Sequence, residues 1–309
     1  MNVTNAKNME TMKKIVVTHS GNFHTDEVFA CAVLSLLNDG NIEVIRSRDS
    51  EVWATGDYVV DVGGEYDSAR GRFDHHQEGG AGVRPNGIPY SSFGLVWKEF
   101  GENLCGNREA ARRIDEKMVQ PIDAADCGID SFILTGKNIF PYLFHHLVAS
   151  FRPTWKEELN HSTTYDEGFA RAFDIATEVL KREIITAQDY EEGARVAEDA
   201  YQKAEDKRVV IVDGQYPWEE VLNKHPEPIF VVKPDKTEPR WKVRTVRLHH
   251  ESFKARKDFP KAWAGKNGEE FARVTGVPDA IFCHNSGTYI VVAGSKEGAL
   301  ALAKLAVDA

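Results

Sequence analysis

Apolar and polar positions alternate along the first eighty residues in short blocks of two different periods. "KKIVVTH" (13–19) is a brief, near-continuous apolar run, the pattern of a strand buried on both faces. Phe29, Val33, Leu36 and Leu37 then form one helical stripe, with Thr25 placed to N-cap the helix and "NDGN" placed to stop it. "IEVIR" (42–46) and "DYVVDVGG" (57–64) repeat the strand signal, and "GRFDHHQ" (71–77) ends a further short strand. Strands of this kind alternating with helices predict an α/β domain: a mainly parallel sheet with helices on both faces. "EGGAGVRPNGIP" (78–89) is too rich in Gly and Pro to be an element, and reads as a mobile rim or a long connection.

From Ser91 to Phe151 the pattern turns helical, with "FGLVWKEF", "REAARRIDEKMVQPIDAAD" and "FPYLFHHLVASF" as three candidate helices. Tyr165 to Lys207 is a long, charged helical stretch with sparse apolar positions, suited to bridging two domains. Beyond it, "RVVIVDG", "PIFVVKP", "WKVRTVRL", "AIFCHNSG" and "TYIVVAG" read as strands, and Ala299, Leu302, Ala303 and Ala306 share one face of a last helix. The expected organisation is a first α/β domain over 14–160, a helical connector over 161–207 and a smaller α+β domain over 208–309.

Composition narrows the class. At 309 residues the chain exceeds one average domain. No apolar run approaches the ~20 residues of a membrane span, so no membrane partner is expected. The opening "MNVTNAKNMETMKK" lacks a signal-peptide core and reads as a short frayed extension. Cys31, Cys105, Cys127 and Cys283 have no C-x-x-C spacing, which fits reduced thiols in an intracellular protein and neither a disulfide nor a zinc framework. Net charge is −10, against passive nucleic-acid binding by the whole surface. Residues 231–266 are the exception, with eleven Lys/Arg against four acids.

The candidate chemistry sits where strands end. His19 and Asp61 each follow or end an apolar strand, and Asp74, His75 and His76 follow another. In a parallel sheet the carboxyl ends of the strands line one crevice, so these side chains converge, with His24 and Asp26 from the first loop and helix start. Imidazoles with carboxylates are the ligand set for Mn²⁺, Fe²⁺, Co²⁺ or Zn²⁺, rich enough for two ions that share a carboxylate. "PIDAADCG" adds Asp123 and Asp126, whose spacing equally fits a capped helix end. Taken singly, each histidine is more often a hydrogen-bonded loop residue; the joint pattern carries the reading.

H-x4-H-x-D, "VVDVGGEYD", "RFDHHQ" and "DAADCGI", in this order, resemble the Myg family (melanocyte-proliferating-gene type), a branch of the DHH metal-dependent phosphoesterases. "RPTWKEE", "YPWEEVL", "ESFKARKDFPKAWAGK" and "FCHNSGTYIVVAGSKEGALALA" extend the resemblance over Lys14 to Ala309. It implies a DHH-like first domain and a 3′→5′ exonuclease acting on RNA, with single-stranded RNA or an oligonucleotide as partner. It also implies two divalent ions: one on His19, His24 and Asp61, the other on Asp26, Asp61, His75 and an acid of "DAAD", Asp126 before Asp123. Asp61 bridges and belongs to the catalytic set. His24 departs from the wider superfamily, where aspartate is usual and the spacing from His19 is one residue shorter. An added nitrogen ligand moves the preference from Mg²⁺ toward Mn²⁺, with Co²⁺, Fe²⁺, Zn²⁺ and Mg²⁺ itself as alternatives. His76 is a candidate proton donor to a phosphoryl or leaving oxygen, with a plain supporting hydrogen bond as its alternative role.

"CHNSG" combines His284, Asn285 and Gly287 after a strand, a composition that grips phosphate or simply turns a hairpin. The resemblance favours substrate binding there. The basic stretch interleaves Trp241, Phe253, Phe259 and Trp263 with its bases, as in single-strand binders, and Arg256 is the base singled out. Its alternative is a solvated hairpin with apolar anchors. Two competing functions stand beside the exonuclease: a phosphohydrolase for pyrophosphate, a cyclic dinucleotide or a nucleoside bisphosphate, and a metal-binding regulator without turnover. Nucleus, mitochondrion and cytoplasm, and monomer and homodimer, all fit the sequence.

Overall fold

The computed structural model describes residues 12–130, 132, 133, 136, 139–249 and 252–309; most of the expected frayed opening stretch lies outside them. The chain divides into two compact units, Met1–Gln188 and Asp189–Ala309, each built on a five-stranded sheet.

The first unit starts with β1 (Lys14–Thr18), α1 (Thr25–Leu37), β2 (Ile42–Arg46), the short α2 (Ser50–Trp53) and β3 (Tyr58–Val60). Two brief strands follow, β4 (Tyr66–Asp67) and β5 (Arg72–Phe73). The order across the sheet is β2-β1-β3-β5-β4. β1 is parallel to β2 and β3, and β3 to β5, while β4 pairs antiparallel at the edge. Neighbouring residues supply opposite faces: Val16 and Val60 pack into the main core with α1, whereas Val17 and Val59 pack with Val52 and Trp53 of α2. That two-sided burial is why the strands read as continuous apolar runs. β1 has β2, its successor in the chain, on one side and β3 on the other. The strand order therefore reverses at β1, and the loops after β1 and β3 leave the carboxyl edge side by side.

The main core is closed by α3 (Ser92–Cys105), α4 (Arg108–Ile114) and α5 (Gln120–Asp126). A π-helical turn over Asp115–Val119 joins α4 to α5, where the sequence pattern predicts one regular helix. Pro121 explains it: a proline offers no N–H to the turn before it and crowds the carbonyl four residues back, which a wider turn relieves. α6 (Phe144–Ala149) is shorter than the "FPYLFHHLVASF" pattern predicts, and α7 (Trp155–Asn160) follows. The long charged stretch is one helix, α8 (Tyr165–Lys203), and the division at 188/189 falls inside it. Phe169, Ala172, Ala176, Leu180 and Ile184 face the first core, and Ala197 and Tyr201 the second, so the 161–207 segment carries core positions of both units.

The second unit contains β6 (Val209–Ile211), α9 (Glu219–Asn223), β7 (Phe230–Pro234), β8 (Trp241–Thr245), α10 (Gly268–Thr275), β9 (Ala280–Cys283), β10 (Ile290–Ala293) and α11 (Lys296–Asp308). The sheet order is β6-β7-β8-β10-β9, with β6 parallel to β7 and the remaining pairs antiparallel. Ala299, Leu302, Ala303 and Ala306 of α11 are buried on one face, as their spacing predicts. Among the described residues no helix is long and apolar enough to cross a membrane.

Candidate metal centre

β1 delivers His19 to the carboxyl edge and β3 delivers Asp61, and both side chains are buried there. His19 Nε2 lies 3.2 Å from Asp61 Oδ2 and 3.1 Å from Glu27 Oε1. Its Nδ1 lies 3.2 Å from Arg48 Nη2 and 3.3 Å from the Ser20 carbonyl. Asp61 has φ 56°, a left-handed conformation that costs a non-glycine residue roughly 1–3 kcal/mol. The strain has an identifiable use. It turns the carboxylate so that Oδ2 faces His19 while Oδ1 sits 3.2 Å from His75 Nε2 and accepts a hydrogen bond from Ser92 Oγ at 3.1 Å.

The helix start differs from the sequence reading in one respect. The N-cap is His24, and Thr25 is the first helical residue. The His24 backbone N–H donates to Glu27 Oε1 at 2.7 Å, which fixes Glu27 in the first turn. Asp26 and Glu27 are wholly buried at the N-terminus of α1, whose dipole favours negative charge. Asp26 Oδ2 accepts the Ser92 N–H at 3.3 Å and lies 3.9 Å from His75 Nε2. Asp126, the last residue of α5, places Oδ2 3.3 Å from the same nitrogen.

Asp123 points elsewhere. Its Oδ1 accepts from Ser91 Oγ (2.5 Å) and the Gly94 N–H (3.0 Å), and its Oδ2 pairs with Arg84 Nη1 at 2.6 Å. Of the two acids in "DAAD", the structure therefore brings Asp126 to the cluster and commits Asp123 to α3 and Arg84. Arg84 comes from the Gly-rich loop and is itself buried, so that loop is anchored at its middle. Asp74 organises the turn: it accepts from the backbone N–H groups of His75 (2.7 Å), His76 (3.2 Å) and Gly64 (2.5 Å). It also holds His76 Nδ1 at 2.8 Å, while the His76 side chain is 61% exposed.

The field of this group of acids is visible in its proton affinities. Burial disfavours the His19 imidazolium, yet Asp61 and Glu27 outweigh burial and lift its pKa to about 9. His75 is likewise lifted to about 10 against its own burial, chiefly by Asp61. Burial, then Asp61, raises the pKa of Asp26 and of Asp126, whereas His19 and His75 overcome burial at Asp61 and lower it. Positive charge is what this site demands.

Among the described residues, four overlapping groups have donor atoms within 4.8 Å of one another: His19/His24/Glu27/Asp61, Asp61/His75/His76, His75/Asp126/Cys127 and His24/Asp26/Asp126. Asp26 Oδ1 and Glu27 Oε2 are buried without a hydrogen-bond partner. Buried polar atoms are normally satisfied, so this nitrogen-and-oxygen donor set fits metal cations. A cavity of about 350 Å³ opens onto His19, His24, Arg48, Trp53, Asp61 and His76. Sequence reasoning missed Glu27, Cys127, Ser92 and Arg48. Glu27 had a signal, an acid directly after Asp26 in the same first turn.

In the second unit, His284 Nδ1 lies 2.7 Å from Ser286 Oγ, which in turn is 2.7 Å from Thr288 Oγ1. Gly287 takes φ 66° and donates its N–H to the His284 carbonyl, while Asn285 lies in the same turn. Arg256 is engaged internally. Its guanidinium donates to the carbonyls of His225 (2.6 Å), Pro228 (3.0 Å), Asn223 (3.2 Å) and Arg247 (3.1 Å), tying the segment together within its own unit. Phe259 and Trp263 are core residues, and Asp235 pairs with both Arg240 and Lys242. Phe253 is the strongly exposed aromatic of the four.

The family model MYG1_exonuc, described as "Uncharacterised protein family (UPF0160)", matches residues 15–307. A MYG1 protein of Schizosaccharomyces pombe is 32% identical over 95% of this chain and 97% of its own length. A MYG1 exonuclease of Homo sapiens is 33% identical over 93% and 84%. A MYG1 protein of Saccharomyces cerevisiae is 30% identical over 96% of both. No solved structure matches the chain.

Proposed function

The chain belongs to the MYG1 family, and from that premise we propose that it is a two-metal phosphodiesterase that shortens single-stranded RNA or short oligonucleotides from the 3′ end. One observation carries the reading: Asp61, in a strained backbone conformation, faces His19 with one carboxylate oxygen and His75 with the other. A relative named an exonuclease supports the reaction class.

His19, His24, Glu27 and Asp61 would hold one cation, and Asp26, Asp61, His75 and Asp126 the other. Two divalent ions held by these residues, Mn²⁺ first, would supply Lewis acidity toward phosphoryl oxygens and would lower the pKa of water. The protein's part is orientation and proton handling. Glu27 and Ser92 lock the imidazole and carboxylate faces, which keeps the ligands near their working geometry before substrate arrives. Arg48 lies at the rim beside His19 and offers positive charge to a phosphate in the cavity. Asp74 fixes the proton of His76 on Nδ1, leaving Nε2 as the atom that donates, when protonated, to the leaving oxygen. Within the second unit, the turn His284–Gly287 would offer polar groups to a phosphate.

A small-molecule phosphohydrolase is the second reading, favoured by the internal pairing of the basic segment: backbone carbonyls engage Arg256, and Asp235 pairs with Arg240 and Lys242, charges that an RNA track would present. The dividing experiment offers 5′-labelled single-stranded RNA, DNA, a cyclic dinucleotide and pyrophosphate in parallel with Mn²⁺, with Asp61→Asn as control. A one-nucleotide ladder from RNA that vanishes in the variant supports the exonuclease. Turnover of pyrophosphate or the cyclic dinucleotide alone would sink it, and no turnover with any ion points to the binding protein.

A further inference from the structure

We propose that Cys127 is a thiolate ligand of the cation position formed by His75, Asp126 and Asp26, which makes that position select Zn²⁺, Co²⁺ or Fe²⁺ over Mn²⁺ and Mg²⁺.

Cys127 caps the end of α5, directly after Asp126, and donates its backbone N–H to the Asp123 carbonyl at 2.9 Å. The helix end thus presents a carboxylate and a thiol from adjacent residues. Donor atoms of His75, Asp126 and Cys127 lie within 4.8 Å of one another. A second, separate observation points to a cation here. Asp26, wholly buried, faces the same group, with one oxygen 3.9 Å from His75 Nε2 and the other without a hydrogen-bond partner. The helix C-terminus adds the negative end of its dipole, which favours a cation.

The other three thiols have a different setting. Cys31, Cys105 and Cys283 are buried among apolar side chains in the two cores. Cys127 is partly exposed and has the His75 imidazole and the Asp126 carboxylate for neighbours. Metal binding releases one proton from the thiol to solvent, and the freed sulfur lone pair forms the bond to the ion. One sulfur among nitrogen and oxygen donors moves a site toward borderline-soft ions, because Mn²⁺ and Mg²⁺ gain little from thiolate. The sequence resemblance ranked Mn²⁺ first from the imidazole count alone; the sulfur changes that ranking at one of the two positions.

The inference rests on the two-metal reading, and the test separates the two. Metal-free protein is titrated with Co²⁺ and followed by absorption, with folding checked by circular dichroism. A thiolate-to-cobalt charge-transfer band in the near ultraviolet is expected in the unaltered protein. It should be absent in Cys127→Ser, which should also bind Co²⁺ and Zn²⁺ roughly 10–100-fold more weakly while holding Mn²⁺ within about threefold. Cobalt bound with only ligand-field bands, or a charge-transfer band that survives in Cys127→Ser, overturns the sulfur ligand and leaves the metal reading standing. Failure to bind cobalt at all overturns both.

Discussion

Replacing Gly94 with alanine sets two effects of opposite sign against each other inside α3. Helix propensity alone favours alanine over glycine by roughly 1 kcal/mol. The structure opposes it. A Cβ at Gly94 would stand 2.7 Å from Asp123 Cγ and 2.9 Å from Arg84 Nη2, and closer still to a carboxylate oxygen. Asp123 must then move, losing the hydrogen bonds from Ser91 and Gly94 and loosening its buried pair with Arg84. Breaking a buried pair typically costs about 3–5 kcal/mol and overpacking about 1–3. The steric and electrostatic loss outweighs the propensity gain, and a net destabilisation of about 3 kcal/mol is expected. That corresponds to a fall in Tm of about 6–12 °C for a unit of this size. Differential scanning calorimetry of metal-free protein reads it directly. A variant as stable as the parent, or more so, refutes the claim that Asp123 is a structural acid held tightly by α3.

Three further outcomes follow from the site. His76→Ala should retain metal, measured by mass spectrometry of bound ions, yet lose about 10²–10⁴-fold in kcat as a proton donor does; unchanged kcat reduces His76 to a support. Metal-free protein should lose stability with rising pH. The raised His19 and His75 stabilise the fold fully below the ordinary histidine value of 6.5, and that contribution disappears as pH climbs through about 9 to 10. Urea melts from pH 6 to 10 test the slope, and a flat profile contradicts the assigned ion pairs. Arg256→Ala should lower the stability of the second unit by about 1–3 kcal/mol, leaving part-buried carbonyls unpaired, with RNA affinity little changed; the reverse pattern, by calorimetry and a filter-binding titration, would assign Arg256 to the nucleic-acid surface.

Much of the first unit was legible because its strands are buried on both faces and its chemistry follows their ends. Periodicity located β1 and β3, and the parallel topology then required His19 and Asp61 to meet. The helix cap was misjudged by one residue, because threonine has the higher cap preference while the actual cap, His24, is held by the Glu27 carboxylate. Asp123 and Asp126 could not be separated by spacing: both lie on α5, and only the location of Ser91, Gly94 and Arg84 decides which is engaged. Arg84 sits in a loop whose glycines suggest mobility, and its partners, half-buried Asp115 and buried Asp123, are 31 and 39 residues away in the chain. The pairing within the basic segment was hidden for a related reason. Its charges look free in sequence, whereas Asp235 and the backbone carbonyls around Asn223 and Pro228 consume several of them.

The central claim is that one carboxylate serves two cations. Counting bound Co²⁺ per chain by equilibrium dialysis in the unaltered protein, His19→Ala, His75→Ala and Asp61→Ala tests it most directly. The account predicts two ions in the unaltered protein, one in each histidine variant and weak or no binding in Asp61→Ala; two ions retained by folded Asp61→Ala would contradict it.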